Sequence, residues 1–216
     1  EDSGAVGKNG SKEKDVVLQI SKRLAADLRR KLNAKVYLTR SWDKTLTLEE
    51  RNTFAKNKAA DLFLSVHANA SPKREVSGIQ TYYLNNATDQ ASIRLAKREN
   101  HNAHQKLPKE KHVLSTMLQN YATEESHLLA KQVQNSLIKS LSKKYKDVHD
   151  LKVRSALFYV LVGAKCPGVL IETSFISNPR EEQRLQNSRY QAALSSAITD
   201  GVAQYLRQQS KQRETL

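Results

Sequence analysis

A single cysteine, Cys166, in 216 residues rules out an internal disulfide and any multi-thiolate metal site. Cys166 precedes Pro167-Gly168 at the entrance to an apolar run, which suits a small buried or turn residue better than a nucleophile. Long hydrophobic stretches are also missing. Mean hydropathy is −0.65 and no apolar run approaches the roughly 20 residues that span a bilayer, so no transmembrane segment is expected. The chain opens Glu1-Asp2-Ser3-Gly4-Ala5 without a methionine or a signal-like segment, as expected of a mature protein or an excised fragment. Acidic residues are in deficit: 22 Asp and Glu against 36 Lys and Arg leave a net charge of +14. Such a chain adsorbs to polyanions. It nevertheless lacks an aromatic-studded basic strand, a helix-turn-helix signature and finger-like Cys/His spacing, so no specific nucleic-acid recognition is expected. Its cations are scattered, with groups at Arg29-Arg30-Lys31 and at Lys139, Lys143, Lys144 and Lys146. A cell-wall polymer or an anionic membrane surface suits that distribution as well as DNA does.

What is present reads as one α/β domain, because 216 residues bury one good core and not two. Residues 1–11 form a Gly-rich loop. Val17, Ile20, Leu24 and Leu28 then recur at helical spacing, with Ser11 as the expected N-cap and Glu13 in the first turn. A short strand is expected at Val36–Thr39, a helix at Leu48–Ala60 and a central strand at Leu62–Val66. Gly78–Leu84 has the look of a strand nearer the sheet edge. From Asp89 to about Thr123 the chain turns polar, as in one or two helices inserted between core elements. Leu129, Val133, Leu137 and Leu141 mark a core helix. Leu157–Val162 and Val169–Ile171 are the last expected strands. Asn178-Pro179-Arg180-Glu181 reads as a helix start with an Asn cap, Pro at the first position and Glu reaching back. A final amphipathic helix covers about Ser188–Leu206, with a polar, frayed tail after it.

Three residues point to chemistry. His67 ends the buried run Leu62-Phe63-Leu64-Ser65-Val66, and the carboxyl edge of an α/β sheet is where ligands bind. Glu172 ends a second run, Val169-Leu170-Ile171, where a carboxylate is costly to bury unless paired, metal-bound or functional. Parallel strands of one sheet end on the same edge, so the two can converge across a hundred or so residues of sequence. Glu13 can join them from the first helix. Each also has a plainer reading: a hydrogen-bonded structural histidine, a paired carboxylate, and a first-turn acid complementing the helix dipole.

The runs Gly4-Ala5-Val6-Gly7 with Glu13-Lys14-Asp15-Val16-Val17, Leu38-Thr39-Arg40, Ala60-Asp61-Leu62-Phe63-Leu64-Ser65-Val66-His67-Ala68-Asn69, Gly78-x-x-Thr81-Tyr82-Tyr83-Leu84 and Val169-Leu170-Ile171-Glu172-Thr173-Ser174-Phe175-Ile176-Ser177-Asn178 stand in one order. In this the chain resembles the zinc-dependent N-acetylmuramoyl-L-alanine amidases of Gram-negative cell division, over nearly its whole length. The resemblance implies a twisted, mostly parallel sheet flanked by helices. It also implies zinc held by Glu13, His67 and a further His, with Glu172 as catalytic base for cleaving the bond between N-acetylmuramic acid and the L-Ala of the peptidoglycan stem peptide. In the family that further His follows a strand lying upstream of the segment that begins at Glu1, so this chain is expected to be a truncated form, with an open edge beside the His67 strand. His101, His104, His112, His127 and His149 match no ligand position of the family and read as solvated.

The resemblance further assigns residues 89–123 to a regulatory insertion. Leu95-Ala96-Lys97-Arg98-Glu99-Asn100 matches its occluding part, which makes Glu99 the residue expected to fill the zinc's open position until a LytM-domain activator withdraws the helix. A periplasmic, monomeric enzyme is implied. Two other classes stay open: a noncatalytic peptidoglycan-binding module and, on charge alone, a nucleic-acid binder.

Overall fold

Val16, Ile20, Leu24 and Leu28 fall on one stripe of a helix with 3.6 residues per turn, and all four are buried in α1 (Glu13–Leu32). The helix ends at Asn33, whose left-handed φ of 52° asparagine tolerates better than most residues. Ser11 is not its cap. Lys12 holds that position without a side-chain bond, and Glu13 opens the first turn. The computed structural model describes residues 3–87, 89–101, 122–162 and 166–214.

α2 (Leu48–Asn57) begins in a reciprocal capping box between Thr47 and Glu50 and stops short of Ala60. Four strands follow: β1 (Phe63–Asn69), β2 (Ile79–Leu84), β3 (Asp150–Ala156) and β4 (Gly168–Phe175). The remaining helices are α3 (Gln90–Glu99), α4 (Ala122–Leu141), α5 (Tyr159–Val162), α6 (Pro179–Gln186) and α7 (Ser188–Glu214). The sheet order is β1-β4-β2-β3. β1 with β4 and β2 with β3 run parallel, while the central β4–β2 ladder is antiparallel, so the sheet is mixed.

Several expectations are corrected. Val36–Thr39 forms no strand, because a strand exists only by its ladder and this segment has no sheet partner among the described residues. Leu157–Val162 is not a strand either. The chain pairs with β2 earlier, over Asp150–Ala156, and Tyr159–Val162 closes a short helix. β2 is an inner strand with Ile79 to Tyr82 buried, not one near the edge. The last helix does not end at Leu206 but continues to Glu214.

The sheet separates two apolar layers. α1, α4 and α7 cover one face over Val169 and Ile171, while Leu95 of α3, Phe158 just before α5 and Leu161 within it join Tyr82 and Leu170 on the other. Alternation along a strand therefore points Glu172 to the α3 side with Leu170, and His67 to that side with Phe63. Among the described residues, β1 is an edge strand. A cleft of about 940 Å³ runs along its open side, between it and residues 34–48.

Candidate metal centre

The β1–β4 register pairs His67 directly with Glu172, so two parallel strands deliver an imidazole and a carboxylate to neighbouring positions on one face. That convergence is the one expected from the sequence. The first turn of α1 adds Glu13, whose Oε1 lies 3.1 Å from His67 Nδ1 and accepts the Ala68 amide at 3.1 Å. Its Oε2 accepts the Ala5 amide at 2.8 Å. This close approach needs Gly4, which adopts φ 64° and whose Cβ, if present, would lie 2.7 Å from Glu13 Oε2.

α3 supplies the fourth group. Glu99 Oε2 stands 3.2 Å from His67 Nδ1, on the same nitrogen that Glu13 approaches. Asp89 caps α3 by accepting the Ser92 amide at 2.9 Å, and Asn100 ties its far end to Leu157 O at 2.7 Å and to the Tyr159 amide at 2.9 Å. Arg98 fastens the helix to the end of β1, donating to Ala70 O at 2.7 Å and Asn69 Oδ1 at 3.3 Å while its Nε holds Glu99 Oε1 at 3.0 Å. The remainder of the expected insertion, residues 102–121, lies outside the described residues, His104 and His112 included.

Charge is unevenly held here. Burial works against protonation of His67, but Glu99 and Glu13 outweigh it and raise its pKa well above the ordinary range. Burial likewise disfavours an ionised Glu99, yet the His67 charge and hydrogen bond hold its pKa down at about 2. Glu172 is the opposite case. It is 0 % exposed, neither carboxylate oxygen has a hydrogen-bond partner among the described residues, and burial pushes its pKa up to about 8 against the pull of His67. A buried orphan carboxylate beside an imidazole has the character of a functional group.

Ligand atoms of His67, Glu99 and Glu172 all lie within 4.8 Å of one another, and Glu13 adjoins the group through His67. Nitrogen and carboxylate donors at such spacing, with both Glu172 oxygens unclaimed, fit a divalent cation of zinc's preferences. Of the remaining described histidines, His101 follows Glu99 by two residues and lines the same cleft, whereas His127 stacks on Tyr83 and His149 Nδ1 meets Ser77 Oγ at 2.9 Å.

Supporting residues escaped the sequence reading. Ser65 Oγ meets His67 Nε2 at 3.0 Å, a neighbour that the two-residue strand period could have flagged. Glu182 of α6 accepts the amides of Asn9 and Ser11 and so anchors the loop that leads to Glu13. Gly7 passes so close that a side chain there would overlap the Glu182 carboxylate. Glu181 does not reach back over its own helix start. It accepts the Phe175 amide at 2.6 Å and the Gly78 amide at 3.0 Å, joining the end of β4 to the start of β2. The Asn178 cap and the first-position proline are as expected.

A family model described as N-acetylmuramoyl-L-alanine amidase, Amidase_3, matches residues 1–204. The chain is 36% identical over 213 residues to the N-acetylmuramoyl-L-alanine amidase AmiC of Escherichia coli O6:H1, matching 95% of this chain but only 50% of that protein. It is 36% identical over 215 residues to AmiA of Escherichia coli K12, covering 94% of this chain and 72% of AmiA. Among solved structures, the N-acetylmuramoyl-L-alanine amidase of Clostridium difficile 630 superposes with a TM-score of 0.74 at 30% identity, covering 96% of this chain and 91% of that one. AmiC2 of Nostoc punctiforme does so with 0.73 at 28% identity, covering 95% and 91%.

Proposed function

We propose, on the premise that this chain belongs to the Amidase_3 family of N-acetylmuramoyl-L-alanine amidases, that it carries the hydrolytic centre of a peptidoglycan amidase. The bond cut is the amide between N-acetylmuramic acid and the L-Ala of the stem peptide. Glu13 and His67 are the zinc ligands and Glu172 is the base. The observation that carries this reading is the ladder pair His67–Glu172, with a fully buried Glu172 that no hydrogen bond from a described residue claims. Zinc, when bound, acts as a Lewis acid on the amide carbonyl and brings water's pKa toward neutrality.

The chain's own groups supply the rest. Glu172 is buried with both carboxylate oxygens unclaimed among the described residues, which leaves them available to take a proton from attacking water and pass it to the leaving amine. Glu13 is held by two backbone amides, which fixes the orientation of its carboxylate. The position of Glu99 against His67, locked by Arg98, supports an autoinhibited resting state in which α3 covers the centre. Release falls to a LytM-domain activator, and the setting is the periplasm during septal wall splitting.

The test is release of free stem peptide from purified sacculi by a zinc-loaded, activator-treated protein. Glu172→Ala should retain zinc and lose turnover, whereas His67→Ala should lose zinc. Sacculus binding without release would move the protein to the noncatalytic wall-binding class. A Glu172→Ala protein as active as its parent would remove the base assignment.

A further inference from the structure

The face turned away from His67 and Glu172 carries its own feature. α4 and α7 pack backbone to backbone at Gly201, where a Cβ would lie 2.6 Å from Val133 Cα. Along the same pair of helices lies a groove of about 480 Å³ whose floor is made of small residues such as Ser140 and Ser196. Lys139, Lys143 and Lys144 line one side and Arg207 the other. All four are exposed, and none forms an ion pair with a described residue. Asp200, the acid lining the groove, is already engaged by Lys31 of α1 at 3.1 Å. The carbonyl end of α4 accounts for cations at its own terminus. It does not account for Arg207, which stands on the other helix, seven residues before that helix ends at Glu214.

We propose that this groove is a docking surface for an anionic phospholipid bilayer. Like charges held together without counterions repel one another, and their arrangement becomes favourable when a surface of closely spaced phosphates meets them. No aromatic among the described residues lines the groove, so these residues offer nothing on which a base or a sugar ring could stack, as single-stranded nucleic acids and glycans require. Nor does it offer an apolar wedge for insertion. The contact is therefore peripheral, electrostatic and sensitive to salt. Docked in this way, the molecule turns the α3 side of the sheet, with the metal centre, away from lipid. The docking goes beyond the amidase reading and stands without it; only the orientation of the centre toward the wall draws on that reading.

The test is co-sedimentation of the intact chain with phosphatidylcholine vesicles containing about one third phosphatidylglycerol, at low salt. The quadruple variant Lys139→Ala, Lys143→Ala, Lys144→Ala, Arg207→Ala is compared with Lys8→Ala, Lys56→Ala, Lys73→Ala, Arg74→Ala, which removes the same charge from exposed positions elsewhere. Each cation near an anionic leaflet strengthens binding about fivefold, so the groove variant should lose about a hundredfold or more, and the control less than about tenfold. Equal losses in both variants would make net charge the cause and overturn the proposal, as would unchanged binding in the groove variant. Retained lipid binding together with lost retention on sacculi or duplex DNA would overturn it in favour of that polymer. Wild-type binding to the same vesicles should vanish at about half-molar salt, where screening is nearly complete, and persistence there would also refute an electrostatic dock.

Discussion

Replacing Glu172 by Gln should stabilise the metal-free chain, although the residue stands at the heart of the centre. The carboxyl is fully buried without a hydrogen-bond partner among the described residues, and burial carries its pKa from the ordinary 4.5 to about 8. For an acid whose pKa rises on folding, the full contribution to stability is present below the unfolded value and is lost as pH climbs through the folded one. Each pH unit in that window costs about 1.4 kcal/mol, which amounts to about 3 kcal/mol at pH 7. Glutamine has the same shape and no charge, so it avoids that term, less about 1 kcal/mol for an amide group that also lacks partners. The variant should thus exceed its parent by about 2 kcal/mol at pH 7 and lose the advantage near pH 4. Urea unfolding in the presence of a chelator, repeated across this range, measures the difference. A gap that does not change with pH, or a parent more stable at pH 7, would refute the claim that Glu172 is held there at the expense of stability.

Three other outcomes are expected. In a zinc-loaded amidase carrying this chain, Glu99→Ala should raise activator-independent release of stem peptide with zinc content unchanged, and Arg98→Ala should do the same by unfastening α3 from Asn69 and Ala70. Basal rates that stay level in both would remove the occlusion reading. Glu181→Ala should lower unfolding stability by about 3 kcal/mol in denaturant titrations near pH 4, since it strands the Phe175 and Gly78 amides. The loss should be smaller at pH 7, because burial pushes the Glu181 pKa up to about 7 and ionising it there already costs stability. Glu182→Ala should weaken zinc binding about tenfold in a chelator competition while the circular dichroism spectrum is kept, because the loop before Glu13 loses its anchor.

The parts of this molecule that were legible in its sequence are those whose signals are local. The stripe Val16, Ile20, Leu24, Leu28 announces its helix because each residue packs the same core. His67 and Glu172 stand out because a polar group at the end of an aliphatic run conflicts with burial. Val36–Thr39 and Leu157–Val162 look like strands by composition, but neither finds a ladder, and the less apolar Asp150–Ala156 pairs with β2 in their place. The antiparallel turn at the centre of the sheet was likewise beyond a reading of each strand alone. The roles of Glu181 and Glu182 depend on partners as much as 173 residues away, and no spacing rule reaches that far.

That last contact sets an order of assembly. A chain threaded outward from its amino end exposes Glu13 well before Glu182, which fixes the loop in front of it from a contact 173 residues away in sequence. Closing so long a span comes late in folding, after the local helices have formed. The centre is therefore incomplete until the segment bearing Glu182 is in place, and a half-emerged chain carries its ligands without the geometry to use them.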